Sequence, residues 1–66
     1  MDVETKEYLG YTIELTYRPF FDESKPKSQQ HKVVVKKAGM ILINQYGFTR
    51  NEAINYAQKW IDKQNK

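Results

Sequence analysis

The stretch GFTRNEAINYAQKWID, residues 47–62, predicts a turn that leads into an amphipathic helix. Thr49 and Glu52 have the spacing of a capping box. In that motif the threonine hydroxyl and the glutamate carboxylate each accept a hydrogen bond from the other residue's backbone N–H. Phe48 and Ala53 occupy the two positions of a hydrophobic staple, which sets the angle at which the chain enters the helix. The start of the helix is therefore predicted by local chemistry alone.

Apolar residues inside this segment recur at helical spacing and form one stripe. The stripe consists of Ala53, Ile54, Ala57, Trp60 and Ile61. A stripe of this kind is typical of a helix that packs one face on a sheet. We therefore expect a helix over residues 49–63 that buries this face.

Three segments before the helix have the residue pattern of strands. Residues 8–17 alternate between apolar and polar side chains, which predicts a half-buried strand, and Gly10 suggests a bulge near its start. Residues 32–37 and 40–44 are rich in β-branched and aliphatic side chains and predict a hairpin around an Ala-Gly turn. The predicted fold class is α+β, a three-stranded antiparallel meander with one C-terminal helix packed on one face (β-β-β-α).

The other segments are polar and connect or precede these elements. With 66 residues the chain has room for a single domain, residues 1–66. Residues 1–7 predict a flexible acidic N-terminus, and residues 18–31 predict a long polar loop that contains both prolines. Long loops in small domains are usually functional or mobile.

The composition argues against several classes of site. The chain has no cysteine and a single histidine, His31, so we expect neither a disulfide nor a structural zinc site. It also lacks a phosphate-binding loop, a nucleophile elbow and an HExxH motif, so we expect no enzymatic activity, no metal and no cofactor.

No segment of the sequence predicts a membrane span or a secretory signal. The longest apolar run, residues 40–43, is far shorter than the ~20 residues of a membrane helix. Residues 1–7 lack the apolar core of a secretory signal. We therefore expect a soluble, cytoplasmic protein with no membrane partner.

The predicted hairpin has apolar residues on both faces, whereas one helix can cover only one face of the sheet. Uncovered apolar surface is typical of an interface, and an open sheet edge can pair with another chain. We therefore expect a protein-interaction module, acting as an inhibitor, an adaptor or a homodimer. The predicted contact residues, with the lysines at the rim, are Phe20, Phe21, Lys32, Val34, Lys36, Lys37, Ile41 and Ile43.

Nucleic-acid binding is the alternative function. The net charge is +3, and aromatic residues interleaved with cations can stack on bases and neutralise phosphates. The residues predicted for this alternative are Lys25, Lys27, Lys32, Lys36 and Lys37. A third interpretation assigns these lysines no binding function and treats them as a solvated loop and strand edge.

Two motifs of the chain resemble those of a known family. They are YxGYxI at residues 8–13 and GFTxxEA at residues 47–53, the latter followed by an alanine-rich helix. Together they resemble the small HicB-like antitoxin domains and related short domains of unknown function, in which a β-meander leads through such a turn into a helix. The resemblance covers the first predicted strand and the last third of the chain. It implies the same β-β-β-α fold and a protein partner bound through sheet or helix surfaces.

Overall fold

The computed structural model, which describes residues 2–19 and 23–65, has an antiparallel sheet of four strands with one helix against it. The elements are β1 (Asp2–Tyr8), β2 (Tyr11–Tyr17), β3 (His31–Lys37), β4 (Met40–Phe48) and α1 (Arg50–Gln64). The strands lie in the sheet in sequence order, so β1 and β4 are its two edges. The α+β class and the C-terminal helix are confirmed. The prediction of three strands is wrong, because the sheet has four.

The additional strand is the segment predicted to be a flexible N-terminus. Residues 2–7 belong to β1, which pairs with β2 along its whole length as far as Tyr8 opposite Tyr11. Leu9 and Gly10 connect these partners as a two-residue turn, with φ of 50° and 84°. Positive φ at both central positions suits the twist of a tight hairpin. Gly10 is therefore part of a hairpin turn, and the predicted bulge and flexible N-terminus are both corrected.

The second hairpin confirms the predicted turn and extends the predicted last strand. Ala38 and Gly39 connect β3 to β4, with φ of 53° and 79°. Because Thr12 lies opposite Lys36, this turn is at the same end of the sheet as the first one. β4 continues to Phe48, beyond the predicted end at residue 44.

The pairing of β4 with β3 is irregular at two places. Val35 lies opposite Ile43, whereas its neighbour Lys36 lies opposite Ile41, so the register shifts across the residue between them. A second shift lies between His31 and Lys32. Such bulges bend a strand and increase its local twist. The ladder between β1 and β2 runs through consecutive partners with no such shift.

The core lies between α1 and the central strands. Its buried members are Tyr11, Ile13, Leu15, Val33, Val35, Ile43, Ala53, Ala57 and Ile61. The predicted stripe is thus confirmed, although Ile54 and Trp60 are only partly buried. The Trp60 ring packs edge-on against Tyr11, with 6.1 Å between the ring centroids.

The capping box is present with both of its hydrogen bonds. The Glu52 backbone N–H donates to Oγ1 of Thr49 at 3.2 Å, and the Thr49 backbone N–H donates to Oε1 of Glu52 at 3.0 Å. Hydrogen bonds to the Glu52 carboxylate from the backbone N–H and the side chain of Thr49 hold its pKa below the ordinary value, and the nearby charge of Lys25 acts in the same direction. Thr49 is the N-cap residue, so the helix begins one residue later than predicted.

The segment predicted as a polar loop is held by hydrogen bonds where the structure describes it. It includes a single 3-10 turn, Lys27–Gln29. Gln30 is 1% exposed, and its Nε2 donates to the backbone carbonyl of Lys25 at 2.9 Å. The backbone N–H of Arg18 donates to the carbonyl of Gln30 at 3.1 Å, which closes the base of the segment.

Across the part of the chain that the structure describes, no helix has the length and the apolar character that crossing a membrane requires.

Candidate functional site

An apolar strip runs along the β4 edge of the sheet. Seven large apolar side chains are exposed among the described residues, and four of them lie on this strand. These four are Met40, Ile41, Leu42 and Tyr46, named the β4 patch. Leu9, another of the seven, lies in the turn at the same end of the sheet. A strip of this kind is the usual mark of a contact surface.

Lysines of β3 lie directly across from the β4 patch. Lys37 is opposite Met40, and Lys36 is opposite Ile41. Farther along the same ladder, Lys32 is opposite Tyr46. Directly opposed residues of antiparallel strands have Cβ atoms roughly 4.5–5.5 Å apart. The apolar strip therefore has a basic border formed by three of the predicted rim residues.

Two of these lysines already have partners within the chain. Nζ of Lys36 lies 3.1 Å from Oε2 of Glu14, which compensates part of its charge. Nζ of Lys37 lies over the ring of Tyr11, 4.5 Å from the ring centroid, in a cation–π contact. Both partners belong to β2, so these contacts draw the two ammonium groups towards the side of β3 that faces away from β4.

The other apolar residues that were predicted as contacts are not part of the β4 patch. Ile43 is 6% exposed and belongs to the core beneath α1, so it is corrected to a packing residue. The bulge between Ile41 and Ile43 separates the exposed side chain from the buried one. Val34 lies on the sheet face opposite the helix but is only 8% exposed. Phe20 and Phe21 lie outside the described residues.

The face of the sheet opposite the helix is mostly polar. Across its centre, Thr5, Glu14, Val34 and Asn44 stand in one row of cross-strand partners. Apolar residues on this face are scattered among polar ones, with Val34 and Ile41 in two rows and Val3 and Tyr46 in a third. The exposed apolar surface instead lies along the edge, and three of its residues, Met40, Leu42 and Tyr46, are absent from the predicted set.

The lysines of the nucleic-acid alternative lie at both ends of the sheet. Lys36 and Lys37 are at the end with the hairpin turns. Lys25 and Lys27 belong to the segment before β3, and the side chain of Lys25 lies beside Gly47, near the opposite end of β4. Lys32 is opposite Tyr46, close to the end where Lys25 lies. The five residues therefore do not form one compact basic patch.

An open cleft lies beside β1, near the start of the helix. Its volume is about 490 Å³, and it is lined by Val3, Glu4, Leu15, Tyr17, His31 and Arg50. The rings of Tyr17 and His31 stack at a tilt, with centroids 4.8 Å apart. Nδ1 of His31 is buried without a hydrogen-bond partner among the described residues.

Two polar contacts connect β1 with the two ends of α1. Arg50 donates to both carboxylate oxygens of Glu4, at 2.6 and 3.2 Å, and these hydrogen bonds hold the pKa of Glu4 below its ordinary value. At the other end of the helix, the Tyr8 hydroxyl donates to Oδ1 of Asp62 at 2.7 Å, which raises the pKa of Tyr8. The partners are 46 and 54 residues apart in sequence, so no local pattern predicts either contact.

Metal-ligating side chains are dispersed in the described ranges, where no group of three or more could hold an ion.

Comparison with protein-family models finds no match to this chain, and no curated protein or solved structure matches it. The resemblance to HicB-like antitoxin domains stays a prediction from the two motifs.

Proposed function

We propose that this chain is a non-enzymatic protein-interaction module that binds another polypeptide through the β4 patch. The observation that carries the proposal is the register of β4 with β3, which places Met40, Ile41 and Tyr46 opposite three lysines. This arrangement combines an apolar strip with a basic border on one edge of the sheet. The two motifs that resemble HicB-like domains also favour a protein partner.

The chemistry of the patch defines the partner. Each large apolar side chain of the patch contributes up to about 1.5–3 kcal/mol when it is fully buried, before the entropy of association is subtracted. The lysine border favours acidic side chains around the partner's apolar residues and disfavours basic ones. The partner is therefore an apolar segment flanked by Asp or Glu. It binds through side-chain packing, since the bulges of β4 interrupt the regular backbone ladder that an added strand needs.

A comparison of matched variants tests this proposal. Ile41→Asp removes the centre of the β4 patch, and Leu9→Asp is the control, because the two side chains are exposed to 59% and 57%. Proteins captured from the source cells by each variant are quantified by mass spectrometry. A partner is expected to be lost with Ile41→Asp and kept with Leu9→Asp. If every captured protein is retained equally by the two variants, the β4 patch is not the binding surface.

A second pair of variants tests the basic border on the purified partner. Lys32→Glu and Lys37→Glu together reverse the border, whereas Lys36 is left in place because it pairs with Glu14. We expect the double variant to weaken binding about tenfold or more, and more strongly at low salt than at high salt. Lys59→Glu and Lys63→Glu together, two exposed changes on the helix, are the charge-matched control. An equal loss in the control would show that only net charge matters.

The nucleic-acid alternative has one observation in its favour. Tyr46 is exposed and lies opposite Lys32, so a base-stacking ring and a phosphate-binding cation share one site. Titration of single- and double-stranded DNA and RNA at two salt concentrations tests it. Binding that weakens with salt and is lost in Tyr46→Ala would support this alternative over a protein partner.

A further inference from the structure

β1 is an edge strand with a regular backbone. It pairs with β2 through seven consecutive partners, with no shift in register. The sheet ends at β1 on this side, so no strand of the described residues lies along its outer edge. A regular, unpaired edge is a template on which another strand can add.

The hairpin turn decides which backbone groups of β1 point outward. Tyr8 and Tyr11 close a two-residue turn, so each directs its N–H and C=O towards the other. These groups alternate in direction along an antiparallel strand. Glu4 and Lys6 therefore also direct their backbone groups towards β2, whereas the groups of residues 3, 5 and 7 point to the outside.

We propose that β1 pairs antiparallel with β1 of a second copy of this chain, around a twofold axis at Thr5. In this register Thr5 lies opposite its own copy, and Val3 lies opposite Glu7 of the second copy. These residues carry the outward-pointing backbone groups, so the two strands exchange hydrogen bonds as a regular ladder. The pairing joins the two four-stranded sheets into one continuous sheet.

Side-chain charge selects this register over its neighbours. With the axis at Thr5, Glu4 lies opposite Lys6 of the second copy, and twofold symmetry repeats this pair. Moving the register by two residues in one direction places Glu4 opposite Glu4, and in the other direction it places Lys6 opposite Lys6. Directly opposed unlike charges stabilise a strand pair, and directly opposed like charges destabilise it. The register centred on Glu4 also places Lys6 opposite Asp2, but of the three registers only the one centred on Thr5 places both Glu4 and Lys6 opposite unlike charges.

The side chains of Glu4 and Lys6 are available for this contact. They are 42% and 44% exposed, and the pair between copies replaces or extends the ion pair that they form within one chain at 4.0 Å. Glu4 is already oriented by its two hydrogen bonds from Arg50, so Lys6 of the second copy meets a fixed carboxylate. This inference is independent of the proposed function, because β1 and the β4 patch lie on opposite edges of the sheet.

The molecular mass as a function of concentration tests the dimer. We expect sedimentation equilibrium of the full chain to show a dimer that dissociates on dilution. Glu4→Lys and Lys6→Glu each place only like charges across the axis, and each is expected to raise the dissociation constant tenfold to a hundredfold. An equimolar mixture of the two variants restores unlike pairs and is expected to recover dimers. A wild-type mass of one chain at all concentrations, or a mixture that stays monomeric, would overturn the proposal.

Proline substitutions test the backbone part of the proposal. Thr5→Pro removes an outward N–H and is expected to give a folded monomer, with a circular dichroism spectrum like that of the wild type. Asn44→Pro is the control on the other edge, because Asn44 lies opposite Val34 and its backbone groups also point outward. Dimers that persist in Thr5→Pro, or are lost in Asn44→Pro alone, would place the contact elsewhere. If Thr5→Pro fails to fold, the charge-reversal mixture still decides the question.

Discussion

The two edges of the sheet differ in opposite ways. β1 has a regular backbone ladder and side chains that are mostly charged or polar. β4 has two shifts in its ladder and exposes Met40, Ile41, Leu42 and Tyr46. An edge can associate through its backbone or through its side chains, and each edge here is suited to only one of these. In this sheet, exposed apolar side chains and a regular backbone ladder therefore lie on different edges.

The position of the helix explains why the two edges differ. α1 packs on β2, β3 and β4, and it reaches β1 mainly through the polar pairs Arg50–Glu4 and Tyr8–Asp62. Because β1 lies at the margin of the core, it can carry charged side chains on both faces. β4 contributes Ile43 to the core, and its bulge allows the neighbouring side chains to turn outward.

The largest expected effect comes from proline substitutions in β1. They distinguish residues whose backbone groups point towards β2 from residues whose groups point outward. Lys6→Pro removes an N–H that points towards β2, and we expect it to lower the free energy of unfolding by about 2–4 kcal/mol. Thr5→Pro removes an outward N–H and is expected to cost less than about 1 kcal/mol in the monomer. Urea unfolding at a concentration where the chain is monomeric measures both. Equal losses would contradict the assignment of inner and outer residues.

The next largest effect is expected in the segment before β3, which supports the β4 edge. The 3-10 turn contacts β4, and buried Gln30 holds this turn to the backbone carbonyl of Lys25. Gln30→Ala removes the buried amide that donates to this carbonyl and is expected to destabilise the fold by about 1–3 kcal/mol. Gln29→Ala, on the partly exposed neighbour, is the control and should cost less than about 0.5 kcal/mol. Thermal unfolding that gives the same shift for both would show that the buried amide is unimportant.

Substitutions in the two hairpin turns are expected to have a smaller effect, and this effect is an increase in the free energy of unfolding. Leu9 and Ala38 have positive φ, which is unfavourable for their side chains and well tolerated by asparagine. Leu9→Asn and Ala38→Asn are each expected to increase the free energy of unfolding by about 0.5–1 kcal/mol. Leu9→Ala is the control, since it removes the exposed side chain and retains the unfavourable backbone. A gain in that control as large as in Leu9→Asn would assign the effect to surface hydrophobicity.

The smallest expected effect is a pH dependence of the free energy of unfolding. One part of it comes from β1 and the other from the start of the helix. The pKa values of Glu4 and Glu52 are lowered from 4.5, mainly by hydrogen bonds from Arg50 and from Thr49 respectively. As the pH falls, these two carboxylates therefore take up protons at a higher pH in the unfolded chain than in the folded one. The stabilisation is complete above pH 4.5 and is lost as the pH falls through the lowered values. Glu4→Gln should remove the β1 part of this dependence and Glu52→Gln the helix part, as measured by urea unfolding between pH 7 and pH 3. An unchanged acid profile in both variants would contradict these assignments.

The helix could be predicted from sequence because its determinants are local. Thr49 and Glu52 are three residues apart, and the packing stripe lies within the helix itself. The β3–β4 hairpin was predictable for the same reason, since Ala38 and Gly39 separate two β-branched segments. The prediction ended β4 too early because residues 45–47 have the composition of a connection, yet Gln45, Tyr46 and Phe48 pair with β3.

β1 could not be recognised from its composition, which is that of a charged tail. Its stability comes from pairing with β2 and from the contacts of Glu4 and Tyr8 with distant residues of the helix. One usable signal was present: Leu9 and Gly10 lie between two tyrosines and form a two-residue turn. The choice between Ile41 and Ile43 as the exposed residue depended on a bulge, which has no reliable sequence pattern. Of the residues predicted as contacts, the three lysines and Ile41 lie at or beside the β4 edge, whereas Ile43 lies in the core.

The sequence order of the strands also determines how the chain closes on itself. Each strand pairs only with its neighbours in sequence, so the sheet assembles by short loop closures, which favour fast folding. The contacts of Glu4 with Arg50 and of Tyr8 with Asp62 connect residues that are 46 and 54 positions apart. These two pairs, here called the clasp, connect the first strand of the domain to its C-terminal helix. In native-state hydrogen exchange, opening of this clasp would release β1 while the central strands remain protected.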